Sequence, residues 1–433
     1  AMNTSTKKSK GLGEYMPLAF AAGIGSMLGS GIIVGLSATI VVWQEGLGLD
    51  TTQVGLLSGI LTFAIAFGSL FGGRLADKIG RVLFFNWVNL FYAIGAAICV
   101  FAPNFTVLLI GLIIAGLASG ADLPVAMTIV SHDAPDEATA AQLVSTTQVF
   151  WQVGVFISFI CAFLVSAMQG ATGGRVVFAI LAVFAVIAWL WRLLSPTFRR
   201  FHEAADVRDA ARPAVVGNGK VSVTKVLFGA DKKVLLTYFL AIVIFYVGWN
   251  LLANTWGQFQ TYMFSKAGAA QSLATGLGII LNFVTLVLNI VFASIAGGKY
   301  RNKAFFAGIV ISLIAMAAMA MGGANLWVIV GATAFMNLGS PLAGEALYKV
   351  WTQESFPIEI RASIQGFING FSRLCCGLFA LITPALVLPE TIQTTMWCFF
   401  GIVIIEGIAG TIMIRAQKKY GTDEERQAHK IAA

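Results

Sequence analysis

Charge is what this chain has least of. Of its 433 residues only 11% are Asp, Glu, Lys or Arg, against about a quarter in soluble domains, while 58% are hydrophobic and the mean hydropathy is +0.83. A chain so poor in charge does not have water as its main solvent. Proline is scarce at ten residues, and no stretch alternates apolar with polar residues evenly. Helices are therefore favoured over the weaker pattern of a membrane β-barrel. The five cysteines, Cys99, Cys161, Cys375, Cys376 and Cys398, all fall in apolar runs without metal-ligand spacing, so they read as packing residues and no disulfide is expected. There is no nucleophile elbow and no phosphate-cradling glycine loop with its Lys and Ser or Thr, which argues against an enzyme and against an ATP-driven machine. No metal or cofactor is expected. The Lys-rich first dozen residues lack the apolar core and cleavage site of a signal peptide, so the first helix is expected to be retained.

Long hydrophobic runs, by contrast, are plentiful. A helix needs about 20 apolar residues to cross a hydrocarbon core about 30 Å thick. Twelve runs qualify: 16–44, 52–72, 83–102, 105–130, 139–167, 176–195, 233–263, 271–297, 304–322, 326–352, 362–387 and 391–415. The net charge of +8 does not point to nucleic acid, because the basic residues are segregated. They gather in the first tail (Lys7, Lys8, Lys10), after the second run (Arg74, Lys78, Arg81), from Arg192 through Lys233, after the eighth run (Lys299, Arg301, Lys303) and in the last tail. The opposite loops carry only Arg175 and Lys266. By the positive-inside rule both termini and the central loop face the cytoplasm, across an inner membrane.

The polar segment 196–232 divides the chain into halves, 1–195 and 233–433, of six runs each. An internal duplication would leave such a division, with a path for a small solute between the halves near the bilayer midplane. A repeat also shows in the loops. Gly72-Gly73-Arg74-Leu75-Ala76-Asp77-Lys78-Ile79-Gly80-Arg81 follows the second run, and a degraded echo, Gly297-Gly298-Lys299-Tyr300-Arg301-Asn302-Lys303, follows the eighth.

On these residues the chain resembles the major facilitator superfamily, whose hallmark is a G-x-L-a-D-r-x-G-R-r loop between helices 2 and 3. Gly73 to Arg81 match it, with Val82 in place of the last basic residue. The resemblance implies an all-α membrane protein with twelve transmembrane helices in two pseudo-symmetric bundles. It also implies a cytoplasmic gate at Gly73, Arg74, Asp77, Gly80, Arg81, Glu354 and Arg361. Within the superfamily the chain is similar to the sugar porters and the related inositol and metabolite transporters. Glu354-Ser355-Phe356-Pro357 with Arg361 looks like their E-x-F-P-x-x-x-R element, and Ser195-Pro196-Thr197 with Arg199 and Arg200 is a weaker likeness of P-E-S-P-R. Gln148 with Gly154 fits Q-x5-G, and Gly248-Trp249-Asn250 fits G-x-N, elements whose Gln and Asn contact sugar hydroxyls in that group. The chain also departs from the pattern: Ile244 and Phe245 replace a pair of Gln, and Gly29 stands where many relatives carry an Asp used in proton coupling.

Ionisable residues inside a membrane are costly and so are candidates by default. They are Asp122, Glu345, Lys349, Arg373 and Glu406. Glu345 and Lys349 are four apart, which places them on one helix face where they can pair. If Lys349 and Arg373 both face the path, with Glu345 offsetting one of them, a net positive site remains. An Arg there can grip a carboxylate or sulfonate with two hydrogen bonds. The structural alternative for Arg373 is capping of backbone carbonyls or pairing with Glu406 or Asp122. Asp122 and Glu345 are the proton-coupling candidates. Hydroxyl groups would be read by Gln148, Trp151 and Gln152, which share a helix face, and by Trp249, Asn250, Asn254, Gln258, Asn282 and Asn337. Single Asn or Gln residues in membrane helices more often tie helices together.

The expected function is an alternating-access carrier of a small polyhydroxylated metabolite, preferably an acidic sugar derivative, as proton-coupled import. A neutral sugar or inositol-like polyol, by symport or uniport, is the alternative, and a transport-inactive nutrient sensor is an alternative of another class. The expected partners are the solute, protons and the lipid bilayer, with a monomeric protein.

Overall fold

The computed structural model describes residues 12–135, 137–211, 222–296 and 298–432, which among them form helices and no strand. The first half contributes α1 (Met16–Leu47), α2 (Thr51–Ile79), α3 (Arg81–Val100), α4 (Phe105–Asp133), α5 (Glu137–Leu164) and α6 (Thr172–Leu194). In the linker lie α7 (Pro196–Ala211) and α8 (Val223–Leu227). The second half contributes α9 (Lys232–Lys266), α10 (Gln271–Ile295), α11 (Arg301–Gly322), α12 (Leu326–Gly339), α13 (Glu345–Ser355), α14 (Ile358–Leu386), α15 (Ile392–Tyr420) and the polar α16 (Asp423–Ala432). Among the described residues ten helical stretches are long and apolar enough to cross a membrane. The shorter apolar stretches Val149–Leu164 and Leu326–Gly339 supply the remaining two of the twelve expected.

Several helix starts follow from local chemistry. Asp50 and Gln53 form a reciprocal capping box at the head of α2, Gln53 N–H to Asp50 Oδ1 at 2.8 Å and Asp50 N–H to Gln53 Oε1 at 3.0 Å. Asn104 and Asn325 cap α4 and α12 without the reciprocal bond, each side-chain oxygen accepting from first-turn amides that have no partner inside the helix. The run expected as one helix over 326–352 is broken instead: α12 stops at Gly339 and α13 starts at Glu345. Pro341 has no amide hydrogen and its ring crowds the preceding turn. Pro124 and Pro384 are held inside continuous helices, so proline alone does not decide. Here the neighbouring Gly339, Ser340 and Gly344 give the chain the freedom to leave the helical path.

The helices of each half pack on one another, and the halves meet through α1 with α9, α2 with α14, and α5 with α10. Helix α1, rich in Gly, Ala and Ser, is enclosed by α4, α5, α6 and α9 and is buried on nearly every side. Small residues let backbones approach closely where lipid provides no hydrophobic drive. Among the described residues, the hydrogen bonds that join the halves sit toward the end remote from the linker. Gln258 of α9 donates to Thr62 Oγ1 at 2.5 Å, and Gln271 of α10 donates to the Ala38 carbonyl at 2.6 Å. At that same end Gly55 abuts α14 so closely that a β-carbon would collide with the Leu381 carbonyl oxygen. The linker helices dock on opposite halves, α7 on α1 and α4, α8 on α9 and α14.

Candidate functional site

The break in the tenth span positions the site. Helix α12 rises ~21 Å at 1.5 Å per residue, short of the ~30 Å of a hydrocarbon core, so the break lies within the span. The Trp249 indole N–H spans from α9 to the break, donating to Ser340 Oγ at 2.9 Å and to the Ser340 carbonyl at 3.2 Å. A β-carbon on Gly344 would meet that indole nitrogen at 2.6 Å, so the ring needs a glycine there. One residue along, Asn250 donates to Ser372 Oγ of α14 at 2.7 Å. Tyr246, one turn back on α9, stacks on Tyr348 of α13 with ring centroids 3.7 Å apart and on Trp249 at 5.8 Å. Trp249 and Asn250, singled out in the sequence, thus form a polar and aromatic wall together with Tyr246, Ser340, Tyr348 and Ser372, which no sequence motif marked.

Three charges stand on this wall. Lys349 Nζ lies 2.8 Å from Glu345 Oε1, the pairing expected from their spacing, and both side chains are partly exposed at 33% and 41%. Arg373 of α14 acts electrostatically on both Glu345 and Tyr246. It has no hydrogen bond and no ion pair among the described residues, so it pairs with neither Glu406 nor Asp122. Two cations and one carboxylate leave the site net positive. Glu345 also opens α13, whose first-turn amides point the same way as an added positive charge.

In the first half, Trp151 and Gln152 of α5 are half-buried, and the side chain of Gln148 lies outside the described residues. A β-carbon on Gly29 would lie 3.2 Å from Ser119 Oγ and 3.3 Å from the Trp151 ring. The absence of an acidic side chain at this position of α1 is what lets Trp151 lie against that helix.

The fold agrees with the comparisons. The family model described as Major Facilitator Superfamily matches residues 18–380. This chain belongs to that superfamily. It is 30% identical over 407 residues, 90% of this chain and 89% of the other, to a protein of Bacillus subtilis (strain 168) named minor myo-inositol transporter IolF. A probable polyol transporter 4 of Arabidopsis thaliana is 29% identical over 42% of this chain and 33% of its own. The inward-open xylose transporter XylE from E. coli superposes with a TM-score of 0.75 at 15% identity, covering 95% of this chain and 99% of that one, a likeness of fold. The chain is a multi-pass membrane transporter and not an enzyme.

Several expected site residues of this facilitator do other work. Asp122 is buried and held by Arg192, a residue the sequence places among the linker charges but which the structure buries in the last turn of α6. In this conformation the Asp122 carboxylate is committed to that guanidinium. Gln258 is buried in the joint between the halves, with Asn254 Oδ1 accepting from it at 2.9 Å. Neither reads a solute in this conformation. Asn282 donates to the Gly278 carbonyl of its own helix, and Asn337 donates to the Leu281 carbonyl, tying α12 to α10. Both serve as glue between or within helices.

At the linker end, Glu354 is gripped by Arg301 through two bonds of 2.7 and 3.2 Å and accepts a third from Gln417 at 3.2 Å. The degraded echo therefore supplies the partner of the E-x-F-P element. In the intact motif Gly80, at φ 104°, ends α2 in a conformation that glycine adopts freely, and Arg81 starts α3. The side chains of Arg74, Asp77 and Arg361, and the surroundings of Gly73, lie outside the described residues.

Proposed function

We propose that the protein imports a small polyhydroxylated metabolite with a preference for acidic members, such as uronates, aldonates or sulfonated sugars. The observation that carries this reading is Arg373, a guanidinium without an ion-pair partner among the described residues, beside the self-neutralised Glu345–Lys349 pair and close to the N-terminus of a half-helix within the tenth span. Half-helix N-termini and bidentate Arg contacts both favour anionic groups. Trp249, Asn250 and the stacked tyrosines supply ring stacking and hydroxyl recognition. Trp151, Gln148 and Gln152 would complete the site from the other half.

The two moving bodies are residues 1–195 and 233–433, joined by 196–232, in an inner membrane with both termini in the cytoplasm. The carrier works as a monomer, and import is coupled to protons. Glu345 remains a candidate for that coupling.

A second reading, a neutral inositol-like polyol, is favoured by the relative named as a myo-inositol transporter, whose similarity spans nearly the whole chain. Thermal stabilisation of the purified protein separates the two, because a ligand that binds only the folded state raises its melting point. Shifts by glucuronate or gluconate but not by glucose or myo-inositol support the first reading. Shifts by the neutral members alone support the second.

A further inference from the structure

Glu406 stands apart from the other charges of the transporter. It lies halfway along α15, 3% exposed, and its Oε1 is sealed from solvent without a hydrogen-bond partner. Among the described residues it has no ion-pair or hydrogen-bond partner. Its neighbour on α9 is Gly248, where a β-carbon would lie 2.9 Å from Glu406 Cγ and 3.5 Å from Oε1. From α11, the other helix packed on α15, the nearby contacts are the apolar Ile309 and Phe305, against Gly407 and Gly410. Three titratable groups of these helices are engaged elsewhere. Tyr246 stacks on Tyr348, Tyr238 bonds the Gly421 carbonyl, and Arg301 holds Glu354.

A lone ionised carboxylate in such surroundings is too costly to persist, so Glu406 is held here as the neutral acid. The residue that covers it, Gly248, directly precedes Trp249 and Asn250, which bond Ser340 and Ser372 in the candidate solute site. The same turn of α9 therefore touches the solute site on one face and the buried acid on the other.

We propose that Glu406 is the proton-binding site of the transporter. While α9 covers it the acid keeps its proton. When solute moves α9 away from α15, water reaches the carboxyl, the proton passes to that water and a carboxylate remains, to be reprotonated before α9 closes again. This inference rests on the proton-coupled reading above.

The test has two arms. In infrared spectra of the purified protein, the C=O stretch of a neutral carboxylic acid is expected at neutral pH and is expected to be lost in Glu406→Gln. Gly248→Ser, which sets a hydroxyl beside the acid, is expected to shift the same band and serves if Glu406→Gln does not insert. In proteoliposomes under an imposed pH gradient, myo-inositol and glucuronate are the probes. The intact protein is expected to accumulate one of them, while Glu406→Gln keeps counterflow and loses accumulation. Accumulation by Glu406→Gln at the level of the intact protein, or a carboxylic band indifferent to both variants, overturns the inference alone. Counterflow without accumulation in the intact protein overturns the coupled reading, and the inference with it. If neither probe is carried the solute reading is wrong, and the infrared arm decides for Glu406.

Discussion

Arg192 of α6 holds Asp122 of α4 by two parallel hydrogen bonds, Nη1 to Oδ1 at 2.6 Å and Nη2 to Oδ2 at 3.1 Å. The guanidinium also donates to the carbonyls of Ala21 on α1 and Phe85 on α3 and lies over the Phe85 ring at 3.9 Å. One side chain thus ties together four helices of the first half. Breaking a buried pair by removing one partner strands a charge, at a cost of about 3–5 kcal/mol. Asp122→Asn is expected to lower the melting temperature in detergent sharply. Asp122→Leu with Arg192→Met, which removes both charges, is expected to recover much of that loss. Equal destabilisation by the single and double changes would show that the pair matters for its shape and not for its charge.

For Arg373, truncation to Ala removes a charge-assisted contact worth about 1.5–3 kcal/mol, or roughly 10- to 100-fold in affinity. The expected result is loss of the thermal shift by acidic ligands with little change in unliganded melting, because among the described residues Arg373 has no hydrogen-bond or ion-pair partner to abandon. Titration calorimetry with glucuronate measures it, and retained affinity would make the residue structural.

Gln258→Leu removes the hydrogen bond to Thr62 that helps close the end remote from the linker. A bond of about 1 kcal/mol corresponds to roughly a fivefold change in the balance of conformers. Spin labels at the remote ends of α2 and α14 should report a larger separated population. An unchanged distance distribution would assign the closure to packing such as Gly55 on Leu381.

The Arg301–Glu354 pair is partly exposed, 15% and 32%, and is expected to be worth little alone. A double-mutant cycle with Arg301→Gln and Glu354→Gln, read by thermal unfolding, should give a coupling of about 1 kcal/mol or less. A larger coupling would mean that the Gln417 bond makes the cluster act as one unit.

The sequence made much of this architecture legible, for physical reasons. Hydrophobic length is a strong signal in a membrane, so eleven of the twelve runs match single helices with ends off by at most seven residues, the tenth alone being broken, and the four-residue spacing of Glu345 and Lys349 implies the pairing the structure shows. What escaped it depends on partners distant in the chain. Arg192 reads as one more basic residue at a membrane edge until α4 and α1 are brought beside it. Asn282 and Asn337 carry the same side chain as Asn250, and only packing separates helix ties from a residue on the site wall. The interruption at Pro341 needed its flanking glycines to be weighed together with it, since Pro124 and Pro384 interrupt nothing.

That interruption bears on how the protein is made. Neither α12 nor α13, at 14 and 11 residues, reaches the ~30 Å of a hydrocarbon core alone, and the turn between them carries peptide groups that lipid cannot satisfy. The Trp249 indole, from a helix synthesised earlier, caps that turn at Ser340. The tenth span is therefore not an autonomous unit of insertion. It can rest stably in the bilayer only once α9 is in place, so assembly of the second half follows the order of its synthesis, with the seventh span as template for the tenth.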